Sequence, residues 1–353
     1  MTIAFLLLCS CKESGNASFS SDETGDTLEM RYARNIKLIQ YKDSFVAILR
    51  NPWDTTKTLN RYAITKPLKK AAVFTSVLCS LMEELGVESS IGGVTEVEYI
   101  GVDYVLKGVK EGRIADLGNS MEPNLERIME LEPDALMPSP FQDSGGYGRL
   151  ERLGIPIIEC ADYMEVSPLA RAEWMRFYGR LFGVGDKADS LFLAVEKEYL
   201  SLKEKAEAVE KRPTLLAESL SGASWYTPGG NSTMGILYKD AGADYIWKDT
   251  KESGSLPLSI ERVLEKGLDA DVWIMKYNAD DTLSYREFSE ENAAYSRFKA
   301  FQNHHVYGCN LMASRFYEET PYHPERLLEN LLQIFHPELS ISPKKLYFCP
   351  LKD

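Results

Sequence analysis

The segment Asn124-Leu125-Glu126-Arg127-Ile128 leads into Pro133-Asp134-Ala135-Leu136-Met137, and this pair decides the fold. The segment opens on a good helix cap, carries Glu in the first turn, and precedes an apolar run typical of a buried strand. The same order returns as Ser259-Ile260-Glu261-Arg262-Val263 followed by Ala270-Asp271-Val272-Trp273-Ile274. A helix-to-strand unit that occurs twice indicates two similar α/β lobes. Chance similarity between generic α/β units is the alternative interpretation.

Strand-like and helical stretches alternate around these units. In the first half, residues 71–74, 91–94 and 155–158 are short apolar runs typical of buried strands, and residues 76–85 have helical periodicity. This alternation predicts mainly parallel sheets. A hairpin is predicted before it, at residues 36–49.

The alternation breaks once, between the two halves. Ser167-Pro168 opens a helix in the preferred way, and residues 187–211 form a second long helix with a charged outer face. We therefore predict an α/β fold class with two Rossmann-like lobes, mainly parallel sheets, a long connecting helix and a ligand cleft between the lobes. The N-terminal lobe with its hairpin is expected at 30–166, the connecting helices at 167–211 and the C-terminal lobe at 212–353.

The first eleven residues resemble a secretory signal. The apolar run Ile3-Ala4-Phe5-Leu6-Leu7-Leu8 is too short to span a bilayer, and Leu8-Cys9-Ser10-Cys11 resembles the box at which bacterial lipoproteins are acylated. We predict a signal peptide at 1–11 with Cys11 lipidated, and a flexible polar tether at 12–29. The protein is then held in the cell envelope or periplasm through its lipid anchor only. No basic residue precedes the apolar run, so we expect the start codon to lie upstream; a buried N-terminal strand is the alternative.

The acidic composition excludes two classes of partner. A formal net charge of −13 opposes binding to nucleic acid or to an anionic membrane surface, because both need a basic face. The sequence contains no P-loop, G-x-S-x-G or H-E-x-x-H motif, so we expect no catalytic residue and no cofactor. Metal-ligand spacing is absent among the later cysteines, and whether any pair is bridged stays open. These cysteines are Cys79, Cys160, Cys309 and Cys349.

The loops after the predicted strands are rich in aromatic residues. Ligands of open α/β sheets bind at the carboxyl ends of the strands, and rings there suit a flat or macrocyclic ligand. We expect Trp225 and Tyr226 to face Phe141 and Tyr147 across the cleft; rings that pack under their own loops are the alternative. The predicted ligand contacts are Ser76, Glu96, Tyr99, Phe141, Gln142, Tyr147, Trp225, Tyr226, Lys248, Tyr277, Arg315 and Tyr317.

The Asn124 segment, the order of lobe, helix and lobe, and Leu153-Gly154-Ile155-Pro156 resemble class III substrate-binding proteins. These proteins serve ABC importers of ferric siderophores, haem and vitamin B12, and the resemblance covers residues 63–337. It implies that one Glu on each lobe docks on Arg patches of a permease, at Glu126 and Glu261 here. Both side chains also suit the N-terminus of a helix, a role worth about 0.3–1 kcal/mol each.

The resemblance implies a function. We expect a monomeric lipoprotein that captures a metal chelate and delivers it to an ABC permease, with an outer-membrane receptor as a further partner upstream. The ligand is an iron complex, such as a ferric siderophore or haem, or cobalamin, and the sequence does not choose between them. A Rossmann-like enzyme acting on a small molecule in the same cleft is the alternative. A surface adhesion protein would need a broad exposed patch instead.

Overall fold

An antiparallel sheet precedes the first lobe in the computed structural model, which describes residues 25–51, 53–54, 57–140 and 147–353. Its four strands pair in chain order, each with the next. They are β1 (Asp26–Leu28), β2 (Ile36–Gln40), β3 (Phe45–Arg50) and β4 (Thr58–Ile64). The predicted hairpin is confirmed as β2 and β3.

The predicted tether needs a correction at its end. Residues 26–28 pair with β2 instead of remaining extended and solvated, because a polar stretch at a sheet edge still satisfies its backbone N–H and C=O groups by pairing. The predicted signal peptide, Cys11 and residues 12–24 of the tether lie outside the described residues.

Two buried carboxylates hold the chain between β1 and β2. Glu173 is fully buried and accepts the backbone N–H groups of residues 31–33 at 2.8–2.9 Å. Glu165 accepts the N–H groups of residues 34–35 and the indole N–H of Trp174. Burial raises the pKa of Glu165 in spite of these hydrogen bonds. Since a buried charge is tolerated only when it is hydrogen-bonded, the two carboxylates fix the first sheet against the segment at 165–173 that carries them.

The N-terminal lobe is a parallel sheet of order β7-β6-β5-β8 with connecting helices. The strands are β5 (Ala71–Val73), β6 (Ile91–Val94), β7 (Ala115–Asp116) and β8 (Ala135–Met137), and the helices are α1 (Ser76–Leu85), α2 (Asp103–Lys110) and α3 (Leu125–Leu131). Residues 155–158, predicted as a strand, contribute a single parallel bridge from Ile157 to Leu136.

Three helices connect the lobes: α4 (Pro168–Glu173), α5 (Met175–Leu181) and α6 (Gly185–Glu207). The predicted start is confirmed, because the Ser167 side chain accepts the N–H of Ala170 at 3.2 Å. The second helix begins and ends earlier than the predicted 187–211. Within the described residues, no helix has both the length and the apolar character needed to cross a bilayer.

The C-terminal lobe repeats the parallel architecture and adds antiparallel strands. Its main sheet has the order β12-β9-β14-β15-β16, in which only β16 is antiparallel, and a second sheet has the order β10-β11-β13. The strands are β9 (Thr214–Ala217), β10 (Leu220–Ser221), β11 (Ser224–Pro228), β12 (Asp244–Tyr245), β13 (Ser255–Leu258), β14 (Val272–Tyr277), β15 (Val306–Asn310) and β16 (Cys349–Pro350).

The helices of this lobe are α7 (Thr233–Asp240), α8 (Ile260–Gly267), α9 (Tyr285–Glu291), α10 (Lys299–Gln302), α11 (Leu311–Ser314), α12 (Phe316–Glu319) and α13 (Pro324–Phe335). Short 3-10 helices lie at Glu88–Ser90, Val97–Tyr99, Glu151–Leu153, Asp162–Met164, Ala293–Arg297 and Pro337–Leu339. The predicted α/β class with parallel sheets is confirmed. The four later cysteines, all within the described residues, are free thiols.

The repeated helix-to-strand unit has the same cap in both lobes. The Asn124 side chain accepts the backbone N–H of Arg127 at 3.1 Å at the start of α3. The Ser259 hydroxyl accepts the N–H of Arg262 at 3.3 Å at the start of α8. Each cap satisfies one N–H group that the first turn of a helix leaves unpaired, so each segment begins its helix at the predicted residue.

A histidine joins the two lobes. His323 is buried before α13, with Nδ1 2.8 Å from Glu325 and Nε2 2.5 Å from Glu84 on α1. Arg326 also contacts Glu84. Burial alone would lower the pKa of His323, but the two carboxylates outweigh burial and raise it. Its ring is therefore engaged in contacts between the lobes.

Replacing His323 by Gln should remove a pH-dependent part of the stability. A raised pKa in the folded state stabilises fully below the ordinary value of about 6.5 and is lost as pH rises through the raised value. We expect the wild type to be more stable than His323→Gln by about 2 kcal/mol near pH 6, with a difference that shrinks as the pH rises above the ordinary histidine pKa.

Urea unfolding across this range measures the gap, and His304→Gln is the control because His304 is exposed beside Asp353. A gap that stays constant with pH would show that the imidazolium does not stabilise the lobe contact.

Candidate ligand cleft between the lobes

The lobes meet through loops that follow the carboxyl ends of their strands. Gly101, in the loop after β6, donates its backbone N–H to the buried Glu318 carboxylate at 2.7 Å. Arg315, between α11 and α12, contacts Glu318 at 3.0 Å and the Ser80 hydroxyl at 3.1 Å. In open α/β sheets these loop edges are where ligands bind, so the geometry brings the two candidate edges together.

Three of the predicted tyrosines present their rings to solvent. Tyr99 is 73% exposed, Tyr317 56% and Tyr226 50%. Tyr99 lies two residues before Gly101 and Tyr317 lies next to Glu318, so these two rings flank the same inter-lobe contact. Exposed rings beside a cleft offer flat apolar area with a polar handle.

The predicted role of Trp225 is corrected by its burial. Trp225 is fully buried, donates its indole N–H to the Ala217 carbonyl at 2.9 Å and stacks on Trp273 with ring centres 5.6 Å apart. Thr227 also bonds to the Ala217 carbonyl. Because side chains alternate along a strand, Trp225 and Thr227 face the core and Tyr226 faces outward. The adjacent pair therefore cannot both line a cleft.

Tyr147 has a different partner from the one predicted. Its hydroxyl lies 3.2 Å from the buried carboxylate of Glu159, which also accepts the hydroxyl proton of Tyr62 at 2.8 Å. Burial and the Glu159 charge raise the pKa of Tyr147, so its hydroxyl stays protonated and bound. Glu159 thus links the first lobe to Tyr62 of β4, and Tyr147 stabilises its carboxylate. The predicted partners Phe141 and Gln142 lie outside the described residues.

Two predicted polar contacts of the N-terminal lobe lie at loop ends. Ser76 is the first residue of α1 and is half-buried. Glu96 has a left-handed backbone with φ of 54° and accepts both the backbone N–H and the hydroxyl of Ser120, at 2.9 and 2.8 Å. Glu96 therefore pins two loops to each other at the edge of the sheet.

Three further predicted contacts of the C-terminal lobe, Lys248, Tyr277 and Arg315, already contact other groups of the protein. Lys248 is exposed and ion-paired with Asp244. The Tyr277 hydroxyl accepts the backbone N–H of Leu283 at 3.2 Å. Arg315 contacts the carboxylates of Glu83, Glu318 and Glu319. A ligand would therefore have to compete with carboxylates for both cations, Lys248 and Arg315.

An ion pair at the strand ends escaped the sequence analysis. Lys276, the second-last residue of strand β14, pairs with Glu218, the residue that follows β9. Both side chains are almost fully buried. Burial alone would lower the pKa of Lys276, but the Glu218 charge outweighs it and the pKa is raised. The available signal in the sequence was a single lysine directly after the apolar run Val272-Trp273-Ile274-Met275.

A metal-binding cluster is not formed by the side chains that the structure describes. No group of three or more His, Cys, Asp or Glu residues comes together in those ranges in a way that could hold an ion. The site as described is a set of exposed rings and internally paired charges.

Comparison with known proteins decides the family. A family model described as periplasmic binding protein matches residues 72–311, more than half of the chain. The chain belongs to that family. Membership confirms the resemblance drawn from the Asn124 segment and makes the chain a binding protein instead of an enzyme. The first sheet, β1 to β4, lies before the matched residues.

Individual relatives are distant. The chain is 28% identical over 298 residues to an uncharacterized lipoprotein of Methanocaldococcus jannaschii, covering 82% of this chain and 70% of that one. An ABC-type Fe3+-hydroxamate transport protein of Saccharomonospora viridis has a TM-score of 0.61 at 19% identity, over 82% of this chain and 98% of that one. The vitamin B12 binding protein BtuF of Vibrio cholerae has a TM-score of 0.55 at 17% identity, over 76% and 96%. At such identities the two structures support the shared fold.

Trp225→Ala should now affect folding more than ligand binding. Truncating a fully buried tryptophan costs about 3–5 kcal/mol, because it removes its packing and leaves a cavity. Tyr226→Ala, one residue along and half exposed, should change the free energy of unfolding by less than about 1 kcal/mol. Guanidinium unfolding followed by circular dichroism measures both variants. Equal effects of the two substitutions would contradict the alternation that the structure gives β11.

Proposed function

We propose that this protein captures a metal chelate, either an iron complex or cobalamin, between its lobes and delivers it to an ABC permease. The observation that carries the proposal is the family match, together with a capped and exposed Glu at the same position of both lobes. A Rossmann-like enzyme in the same cleft is not supported by the family.

The character of the cleft supports a ligand that brings its own metal donors. The described side chains form no metal-binding cluster, whereas Tyr99, Tyr226 and Tyr317 offer exposed rings. Aromatic surfaces suit the flat or macrocyclic body of a chelate. The structural neighbours include a hydroxamate-iron protein and a vitamin B12 protein, so the similarity supports both ligand types equally.

Docking on the permease is assigned to Glu126 and Glu261. Both side chains are exposed in the first turn of their helices, α3 and α8. The backbone N–H of Glu261 and the Ser259 hydroxyl lower the pKa of Glu261, so it is ionised at neutral pH. Two outward carboxylates at equivalent positions match a permease with paired Arg patches, which would fix the orientation of the cleft.

Reversing both charges should abolish uptake without abolishing binding. In cells that express the cognate permease, we expect Glu126→Arg with Glu261→Arg to stop uptake of a radiolabelled ferric chelate or cobalamin. Each single reversal should have a partial effect. The chelate affinity of the purified double variant should stay within about twofold, because neither Glu faces the cleft in this proposal.

The matched control lies one helical turn farther along each helix. Glu130→Arg with Glu265→Arg makes the same change of net charge on exposed positions of α3 and α8. Uptake should persist in this control. Normal uptake by the Glu126 and Glu261 variant, or a parallel loss of chelate affinity, would show that these carboxylates only stabilise their helices.

The lipid anchor at Cys11 is part of the proposal. The related lipoprotein of Methanocaldococcus jannaschii supports it. Because one acyl chain gives only marginal membrane binding, multiple acylation of the bacterial type is implied. Cys11→Ser should move the protein from the membrane fraction to the soluble fraction, measured by immunoblot after fractionation, with Cys9→Ser as the control. Unchanged membrane association of Cys11→Ser would contradict the anchor.

A further inference from the structure

The pair Glu218 and Lys276 lies at the ligand-facing edge of the C-terminal sheet. Glu218 follows β9, and Lys276 is the second-last residue of β14, which pairs in parallel with β9. Parallel strands end at the same edge, and this is the edge where open α/β sheets bind ligands. The two charges neutralise each other there, almost fully shielded from solvent.

Glu218 is held in a conformation that its side chain does not favour. Its φ is 70°, in the left-handed region that suits glycine. Its N–H donates to the Ile274 carbonyl at 2.8 Å, and its own carbonyl accepts the indole N–H of Trp273 at 2.7 Å. Strain of this kind in a non-glycine residue concentrates at functional sites, and here it directs the carboxylate at Lys276.

Beside the pair, a buried hydroxyl has no partner. Tyr238 is fully buried, and its hydroxyl makes no hydrogen bond among the described residues. The centre of its ring lies 5.2 Å from that of Tyr245. The Tyr245 hydroxyl lies 2.7 Å from the Thr227 hydroxyl, which also contacts the carbonyl of Ala217, the residue before Glu218. Burial and, after it, the Glu218 charge raise the pKa of Tyr238. Since buried hydroxyls are almost always paired, the Tyr238 hydroxyl is an unused donor on the Glu218 side of the ion pair.

Two aromatic residues lie on the other side of the ion pair. The Lys276 ammonium lies 5.7 Å from the centre of the Phe316 ring. Tyr317, next along the chain, is exposed and experiences the Lys276 charge, which counteracts part of the effect of burial on its pKa. The ring centres of Phe316 and Tyr317 lie 5.3 Å apart, so an aromatic surface with one exposed ring adjoins Lys276.

We propose that Lys276 binds an acidic group of the ligand, a carboxylate or a catecholate oxygen, and that the Glu218 carboxylate competes with this group for the same ammonium. The Tyr238 hydroxyl supplies a further hydrogen bond to the acidic group. This inference rests on the proposed function and deepens it, because it selects acidic chelates over neutral ones such as cobalamin or a ferric tris-hydroxamate.

Binding measurements with probes of different charge test the inference. The acidic probes are ferric citrate and the ferric complex of 2,3-dihydroxybenzoate, which separate carboxylate from catecholate; the neutral probes are a ferric tris-hydroxamate and cobalamin. Quenching of tryptophan fluorescence reports binding, because the Trp273 indole contacts Glu218.

Two variants change the ion pair itself. Lys276→Met should weaken the affinity for an acidic probe at least about tenfold and change the affinity for the neutral probes less than about twofold. Glu218→Gly, which accepts a φ of 70° and removes the competitor, should tighten the acidic probe several-fold.

Two further variants guard against loss of folding. Glu218→Gln with Lys276→Met leaves no unpaired charge, and it should show the same loss of acidic probe as the single lysine variant. Lys299→Met removes an ammonium that pairs with Asp271 at 2.7 Å, just before β14 and so at the opposite edge of the same sheet. This control should bind every probe as the wild type does.

The outcomes separate the two proposals. If neutral chelates bind as tightly as acidic ones and Lys276→Met changes neither, the inference is wrong while the proposed function stands. If no chelate binds the wild type, the proposed function is wrong, and metal-free 2,3-dihydroxybenzoate then decides the inference. Binding of that acid that is lost in Lys276→Met would support an acidic-group site, and no binding would overturn it.

Discussion

The Glu318 carboxylate is buried where the lobes meet, and the cleft depends on how its charge is satisfied. It accepts hydrogen bonds from the Gly101 backbone N–H of the N-terminal lobe and from the Arg315 guanidinium of its own lobe. An isolated buried carboxylate is costly, so these donors cannot separate without a large penalty. The contact also requires glycine at position 101, because a Cβ there would lie 2.7 Å from the carboxylate. One charge thus fixes the distance between the two loops that flank the cleft.

A second contact between the lobes limits how they can move. His323 bridges Glu84 on α1 to Glu325 on α13, and the connector of α4 to α6 spans the lobes as helix. Helices and buried ion pairs resist the backbone rotation that flexible strand hinges allow. The cleft is therefore largely preformed, and a ligand gains affinity by fitting it and loses little in ordering the protein.

Periodicity and capping carried the sequence-based prediction of the fold, and they failed where neither applies. Asn124 and Ser259 start their helices as predicted because a side-chain oxygen satisfies a specific N–H group. β1 was assigned to a tether because its pairing depends on a partner strand, which local composition does not encode. In the site, the exposed Tyr226 was predicted together with the buried Trp225, since aromatic content was read without the alternation of a strand. Lys276 was missed because its partner Glu218 lies 58 residues away in sequence.

An internal ion pair at a binding edge turns charge into selectivity. A cleft with a free lysine would attract any anion. Lys276 is already paired with Glu218, so the binding free energy of an incoming acid includes only the difference between two similar ion pairs. That difference favours an acid that also reaches the unpaired Tyr238 hydroxyl. Simple anions such as chloride or phosphate cannot make aromatic contacts at Tyr317 as well. Discrimination between anions then comes from competition with the Glu218 carboxylate as much as from attraction to Lys276. In this way an acidic protein of net charge −13 can bind an acidic ligand selectively.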